Sequence, residues 1–366
     1  MRCVACRSNG GPMTTLDIDT SKPVLVTGGT GYVAGHILKR LLEAGATVHT
    51  TVRDPSKTER LGYLNDLADG SPGTLRFFRA NLLEAGSFDE AMAGCGVVFH
   101  VASPYTTAVD DPQRDLVDPA VNGTTYVLEA ANRTESVKRV VLTSSMAAIF
   151  GASADLADTP RGVFDEDVWN TSSSLTDNPY SYSKTLAEKK AWEMHDAQDR
   201  WRLVVMNPPA IYGPGVKVHK GAESFTQMAS FGDGTLKSGA PDIRIGITDV
   251  RDVAEAHLRG GFLPDAQGRH VISGHDSGFL QIAEILRGAF PNAPVPKSKA
   301  PKWLLWLVGP MVNKAITRTF VSRNIGHPWK SDNSKSKREL GMTYRPLEQT
   351  LTEHFQQLLD AGMVQA

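Results

Sequence analysis

The chain is short of several features that mark particular protein classes. Only three cysteines, Cys3, Cys6 and Cys95, stand among its 366 residues. An odd and small number cannot staple a chain of this length, which excludes a disulfide scaffold and sets a reducing, cytoplasmic compartment as the expectation. Neither charge sign is in excess, since 39 Lys and Arg stand against 40 Asp and Glu for a formal net charge of −1. Proteins that bind nucleic acid or lie on membranes through polybasic tracts carry a basic surplus or basic runs. The expected partners therefore include neither nucleic acid nor membrane. Long apolar runs are missing too: Trp303 to Val312 is about half of the roughly 20 residues needed to cross a bilayer. The opening MRCVACRSNGGPM lacks the apolar core of a secretory signal, so the sequons at Asn122, Asn132 and Asn170 carry no glycosylation meaning. Cys3 and Cys6 form a lone CxxC with no second ligand pair nearby, and no metal is expected. Residues 1–20 read as an unstructured leader, within which Met13 could serve as an alternative start.

What is present suffices for a large core. With 41% hydrophobic and 22% charged residues the chain is too apolar to be disordered, and its length suggests two lobes. From Pro23 to Gly151, short apolar runs alternate with amphipathic stretches, the pattern of a doubly wound parallel α/β sheet. The strand candidates are VLVTG (24–28), TVHTTV (47–52), LRFFRA (75–80), VVFHVA (97–102), RVVLTSS (139–145) and, further on, LVVM (203–206) and VISG (271–274). Val33, Ile37, Leu38, Leu41 and Leu42 form one apolar helix face, ended by Gly45. A polar, aperiodic stretch from Ala152 to Asn178 carries Asp155, Asp158, Asp165, Glu166, Asp167 and Asp177. A helix is predicted to follow, with Asn178 as N-cap and Pro179 in its first turn, and an amphipathic helix closes the chain near Leu347 to Leu359. The expected division is a dinucleotide-binding domain of 21–206 plus 248–275 and a substrate lobe of 207–247 plus 276–366.

The chemistry begins in VLVTGGTGYVAGHILKRLL. A glycine turn between a strand and a helix is the setting in which a glycine pattern carries weight. It parses as Gly29-x-Gly31-x-x-Ala34 or as Gly28-x-x-Gly31-x-x-Ala34. The turn lets a pyrophosphate approach the backbone and meet a helix N-terminus. At the end of the second strand, TVRDPSKTER offers both Arg53, suited to the 2′-phosphate of NADP, and Asp54, suited to the ribose hydroxyls of NAD. Arg53 comes first and Lys57 and Arg60 follow, which favours NADPH.

Further on, NPYSYSKTLAE places Tyr180 and Lys184 one helical turn apart on one face, after a strand ending in Thr143-Ser144-Ser145. A phenol with a pKa near 10 is a poor acid at pH 7. A Lys ammonium and a nicotinium charge nearby would lower that pKa, so that Tyr180 protonates a carbonyl oxygen as hydride arrives at carbon. Ser145 would hydrogen-bond the same oxygen, with Ser144 its competitor, while Tyr182 would break the four-residue spacing.

Together these stretches, with GSFDEAMAGCGVVFHVASP, NGTTYVLEAA, NPPAIYGPG, TDVRDVAEAH and DNSKSKRELG, resemble the extended short-chain dehydrogenases/reductases. Within them the chain is similar to the dihydroflavonol reductase, cinnamoyl-CoA reductase and aldehyde/ketone reductase branch, from Val24 to about Gly341. The resemblance implies that Ser145, Tyr180 and Lys184 are catalytic and that Lys184 also holds the nicotinamide ribose. It further implies that Arg53 touches the 2′-phosphate and that Pro208 lies near the nicotinamide. The full cofactor set expected is Gly28, Thr30, Gly31, Tyr32, Val33, Arg53, Lys57, Asn81, Leu82, Val101, Ala102, Ser103, Tyr180, Lys184 and Pro208. Asn81 stands where the family carries an acid against adenine, Ala34 replaces the third glycine, and Asn122 could join a proton relay or pack its helix.

The expected activity is NADPH-dependent reduction of a hydrophobic aldehyde or ketone by a monomer or homodimer, with Tyr212, Phe225, Met228 and Phe231 as candidate pocket walls or as ordinary lobe core. The alternatives are an NAD-dependent nucleotide-sugar epimerase or dehydratase and a non-catalytic dinucleotide sensor.

Overall fold

The computed structural model describes residues 16–103, 109–312 and 316–365, with the side chains of Arg60 and Val312 excepted. The Cys3–Cys6 pair and Met13 lie outside the described residues, as does most of the expected leader. At its described end, Leu16 and Ile18 pack against the main core.

The first half alternates strands and helices as β1 (Val24–Val26), α1 (Tyr32–Glu43), β2 (Thr47–Val52), α2 (Thr58–Asp69), β3 (Thr74–Arg79), α3 (Asp89–Met92), β4 (Val97–His100), α4 (Asp118–Arg133) and β5 (Arg139–Thr143). There follow α5 (Pro179–Asp196), β6 (Arg202–Asn207), β7 (Ala210–Tyr212), α6 (Glu223–Ser230), β8 (Arg244–Asp249), α7 (Val250–Phe262), β9 (Gly268–Val271), β10 (His275–Gly278) and α8 (Phe279–Ala289). The chain ends with α9 (Lys302–Val312), α10 (Arg318–Asn324), α11 (Ser334–Glu339) and α12 (Leu347–Asp360).

Seven strands make one parallel sheet in the order β3-β2-β1-β4-β5-β6-β9. The fold is a doubly wound α/β sheet with helices on both faces. On one face α1 and α7 bury Ile37, Leu38, Leu41, Val253 and Leu258. On the other, α4 and α5 bury Val127, Leu128 and Ala191 around Trp201. The central strands β1 and β4 are apolar because both faces are covered, while the edge strand β3 exposes Thr74, Arg76 and Arg79. Strand order reverses between β1 and β4, so the crevice at their carboxyl ends is where such a sheet takes a ligand.

A second sheet, β10-β8-β7, belongs to a smaller lobe. Its core joins Tyr212, Phe225, Met228 and Phe231 to Phe279, Leu351 and Phe355. All four candidate pocket walls are at 0% exposure, so they are lobe core rather than open walls. The VISG expectation is also corrected: the strand covers Gly268–Val271. Ile272 still donates to the Asn207 carbonyl, but Gly274 donates to that of Ile247. Those residues carry the chain from the large sheet to the small one.

The 152–178 stretch is a built loop. Asp155 accepts from the amides of Gly151 and Ala152 and from Ser172 Oγ, and Arg323 of α10 bonds both Asp155 at 2.5 Å and Asp177 at 3.5 Å. Glu166 accepts from the amide of Val271 in β9, so the loop's acids also tie it to the sheet. Among the described helices none is long and apolar enough to cross a membrane.

Candidate active site

The glycine turn sits where β1 ends. Gly28 has φ +70°, a conformation that favours glycine, and a Cβ there would meet Ala102 Cβ at 3.0 Å. At Gly29 a Cβ would fall 2.1 Å from Thr50 Oγ1, so side chains are excluded by neighbours on two strands. Gly31 donates to the Gly28 carbonyl at 2.8 Å and caps α1. Val33 and Ala34 are buried at the start of that helix, and Thr30 is exposed. The result is a backbone-lined cradle with a helix N-terminus behind it, which fits a pyrophosphate. Tyr32 opens α1 directly after this turn, and its side chain points to the second lobe. Its hydroxyl donates to the Gly213 carbonyl and its ring packs edge-on against Phe225 at 5.3 Å, so the side chain joins the two lobes.

Beside this cradle, Thr27 Oγ1 accepts from the amides of Val101 and Ala102 and meets His100 Nδ1 at 3.0 Å. That bond fixes the chain after β4. Arg53, at the end of β2, is exposed. Asp54 accepts from both Ser56 N and Ser56 Oγ and pairs with Lys57 at 3.6 Å; these bonds hold its carboxyl below the usual range. The acid that would suit ribose hydroxyls is thus engaged by its own turn. The Arg60 side chain lies outside the described residues. Asn81 Nδ2 donates to Glu84 and its Oδ1 accepts from Leu83 N, so its carboxamide braces the loop after β3. Leu82 in that loop rests on Gly123 of α4, where a Cβ would approach Leu82 Cβ to 3.1 Å. Asn122, next to it, is exposed.

The catalytic candidates gather around α5. Asn178 caps it as expected, its Oδ1 accepting from Ser181 N, while its own backbone is left-handed at φ 54°. Asn178 Nδ2 also donates to the Gly151 carbonyl at 2.8 Å. Tyr180 and Lys184 share one face, with Lys184 Nζ 5.9 Å from the Tyr180 ring centroid. Lys184 Nζ donates to Ser103 Oγ at 2.7 Å, which ties α5 to the end of β4. Burial pushes the Lys184 ammonium down to about 8, opposed by the Glu188 carboxylate. Tyr180 keeps 40% of its surface exposed, yet the surrounding protein and Glu223 push its hydroxyl above the usual phenol range. Burial here acts against the phenolate.

Ser145 follows β5 by two residues in extended conformation, and its Oγ accepts from Ala147 N at 3.1 Å. Its hydroxyl proton is not spent in that bond. Ser144 is buried and donates to Glu188 Oε2 at 2.5 Å, which removes it as the competitor. Pro208 is buried, its carbonyl accepting from Met146 N, so it braces the turn after Ser145.

One group of residues was missed in the sequence. Glu188, 1% exposed, meets Arg269 at 2.6 Å and accepts from Asn207 Nδ2, which also donates to the Ser145 carbonyl. Arg269 stacks on Trp169 at 3.9 Å and donates to the carbonyls of Glu166 and Val168. Glu188 lies one turn beyond Lys184 and so was within the motif, but Arg269 is 81 residues away with no local signal.

Residues 24–266 match the model of the NAD dependent epimerase/dehydratase family. The chain belongs to that family, the extended short-chain dehydrogenases/reductases. It is 34% identical to cinnamoyl-CoA reductase CAD2 of Medicago truncatula over 341 residues, 92% of this chain and 95% of that protein. It is likewise 34% identical to a (2S)-flavan-3-ol-forming anthocyanidin reductase of Vitis vinifera over 286 residues, 75% of this chain and 83% of the other. Among solved structures, the yeast methylglyoxal/isovaleraldehyde reductase Gre2 complexed with NADPH superposes with a TM-score of 0.75 at 27% identity, covering 93% of this chain and 100% of that one. The chain is thus an NAD(P)-dependent reductase of the extended type, an oxidoreductase.

Proposed function

We propose that this reductase transfers hydride from NADPH to the carbonyl carbon of a hydrophobic aldehyde or ketone in the cytoplasm. One observation carries the reading: the Lys184–Ser103 bond sets the Tyr180/Lys184 face of α5 against the end of β4, beside the glycine cradle. NADPH supplies the hydride when bound. Gly28, Thr30, Gly31 and Val33 would hold its pyrophosphate, with Val101, Ala102 and Ser103 along the nucleotide. Arg53 and Lys57 would take the 2′-phosphate, an assignment supported by Asp54 being turned back on Ser56.

Tyr180 donates the proton to the carbonyl oxygen. Its pKa is pushed up by the protein, so at neutral pH it is the protonated acid that reduction requires. Lys184 would hold the ribose, and its ammonium would bring the phenol back toward working pH. Ser145 directs its hydroxyl at the same oxygen and stabilises charge that grows there. A hydrophobic carbonyl substrate is supported by the relatives above being reductases. The lobes divide this work, residues 21–206 with 248–275 binding the dinucleotide and the remainder after 206 binding the substrate.

Tyr180→Phe tests the reading. The variant should lose NADPH oxidation with every accepted carbonyl while binding NADPH nearly as before, and undiminished turnover would overturn the assignment.

A further inference from the structure

We propose that α9 is an interfacial helix that docks this protein onto anionic lipid bilayers. Its sequence, KWLLWLVGPMV, places Trp303, Trp306, Leu307 and Met311 at i, i+3, i+4 and i+8, a single helical face. Their exposures are 68%, 42%, 52% and 86%. The packed face is another one: a Cβ on Gly309 would approach Ile316 Cγ2 to 2.7 Å, so Gly309 marks the side turned to the chain that leads into α10. The outward apolar side is not required by that packing, and contiguous exposed apolar surface of this kind marks an interaction site.

Charge chooses the partner. From Ile285 to Ser331 the sequence has no Asp or Glu and eight cations, Arg287, Lys297, Lys299, Lys302, Lys314, Arg318, Arg323 and Lys330. Lys299 and Arg323 are paired with acids from elsewhere, at Asp242 and at Asp155 with Asp177. Lys302 in the first turn of α9 donates to the Ile325 carbonyl, and Arg318 stacks on Trp306 at 4.6 Å. Exposed Trp, Leu and Met rimmed by Lys and Arg is the composition of a helix that lies at the headgroup boundary. A second copy is disfavoured, because a two-fold contact on this face would bring the same cations together. An anionic headgroup layer attracts each of them. At 11 residues α9 is too short to span, so it lies on the surface. The whole-chain balance hides this because the acids are elsewhere in the sequence.

The full chain should float with phosphatidylcholine vesicles containing phosphatidylglycerol, less with phosphatidylcholine alone, with salt reducing the difference and tryptophan emission shifting to the blue on binding. A Trp303→Glu, Leu307→Glu double variant should lose at least about tenfold in partition coefficient while keeping its melting temperature. No flotation with anionic vesicles, or equal flotation of the variant, overturns the proposal. So does a dimer without lipid that the double variant abolishes, which assigns the face to self-association. Binding to polyglutamate but not to vesicles overturns it in favour of an acidic protein.

Discussion

Glu188 and Arg269 form an ion pair at 2.6 Å with side-chain exposures of 0% and 7%. The pair links α5 to β9, while Ser144 and Asn207 attach β5 and β6 to the same carboxylate. Removing one partner of a buried pair leaves an uncompensated charge and costs about 3–5 kcal/mol. Arg269→Met should therefore lower stability by about that amount, and the Glu188→Met, Arg269→Met double variant by less than the sum. Urea unfolding of the four proteins measures the coupling, and strict additivity would contradict it.

The exposed guanidinium of Arg53 should separate the two nicotinamide cofactors. Arg53→Ala is expected to raise KM for NADPH by about tenfold or more, the loss of one charge-assisted phosphate contact. KM for NADH should change little. Initial rates with both cofactors decide, and equal effects on the two would remove Arg53 from the 2′-phosphate.

Tyr212, Phe225, Met228 and Phe231 are buried without exposure, so truncation should act on stability before substrate affinity. Phe225→Ala is expected to cost about 3–5 kcal/mol, read by denaturant unfolding. A changed KM at unaltered stability would restore a pocket role.

Buried histidines should make the fold sensitive to acid. Burial lowers His100 to about 3, and His257, where Val253 opposes it, to about 4; His354 goes to about 3 in the same way. A folded pKa below the unfolded value of 6.5 means the unfolded chain binds more protons between the two, so stability rises with pH there. Stability should therefore be intact above pH 6.5 and fall as pH drops toward about 4 and 3. Chemical denaturation at pH 7, 6 and 5 checks the sign; constant stability across that range would refute it.

Lys184 carries the opposite experiment. Its ammonium is lowered to about 8, so a rate that depends on its charge should decline as pH rises through that value. The pH profile of kcat/KM for carbonyl reduction measures it, and a profile flat to pH 9.5 would show that the charge is not used.

The parallel sheet was legible because its central strands are buried on both sides, and β2 runs over Thr47–Val52 as the β-branched run TVHTTV indicates. Tyr180 and Lys184 were legible because helix geometry converts a four-residue spacing into one face. The engagement of Ser144 was not, since it depends on Glu188 meeting Ser144 across 44 residues. Apolar residues after β6 gave no way to tell a wall from a core, because composition is the same for both. The end of β9 was misplaced because Ile272 keeps one bond to the large sheet before the chain leaves it.

Among the described residues, Asn178 is the one non-glycine with left-handed backbone, and its side chain holds both the amide of Ser181 and the carbonyl of Gly151. A single residue thus closes the 152–178 loop at its base and starts the helix that bears Tyr180. The interior of that loop is anchored separately, through Asp155. Interior residues of the loop can then be exchanged while Tyr180 keeps its position on α5, provided Asn178 is left in place.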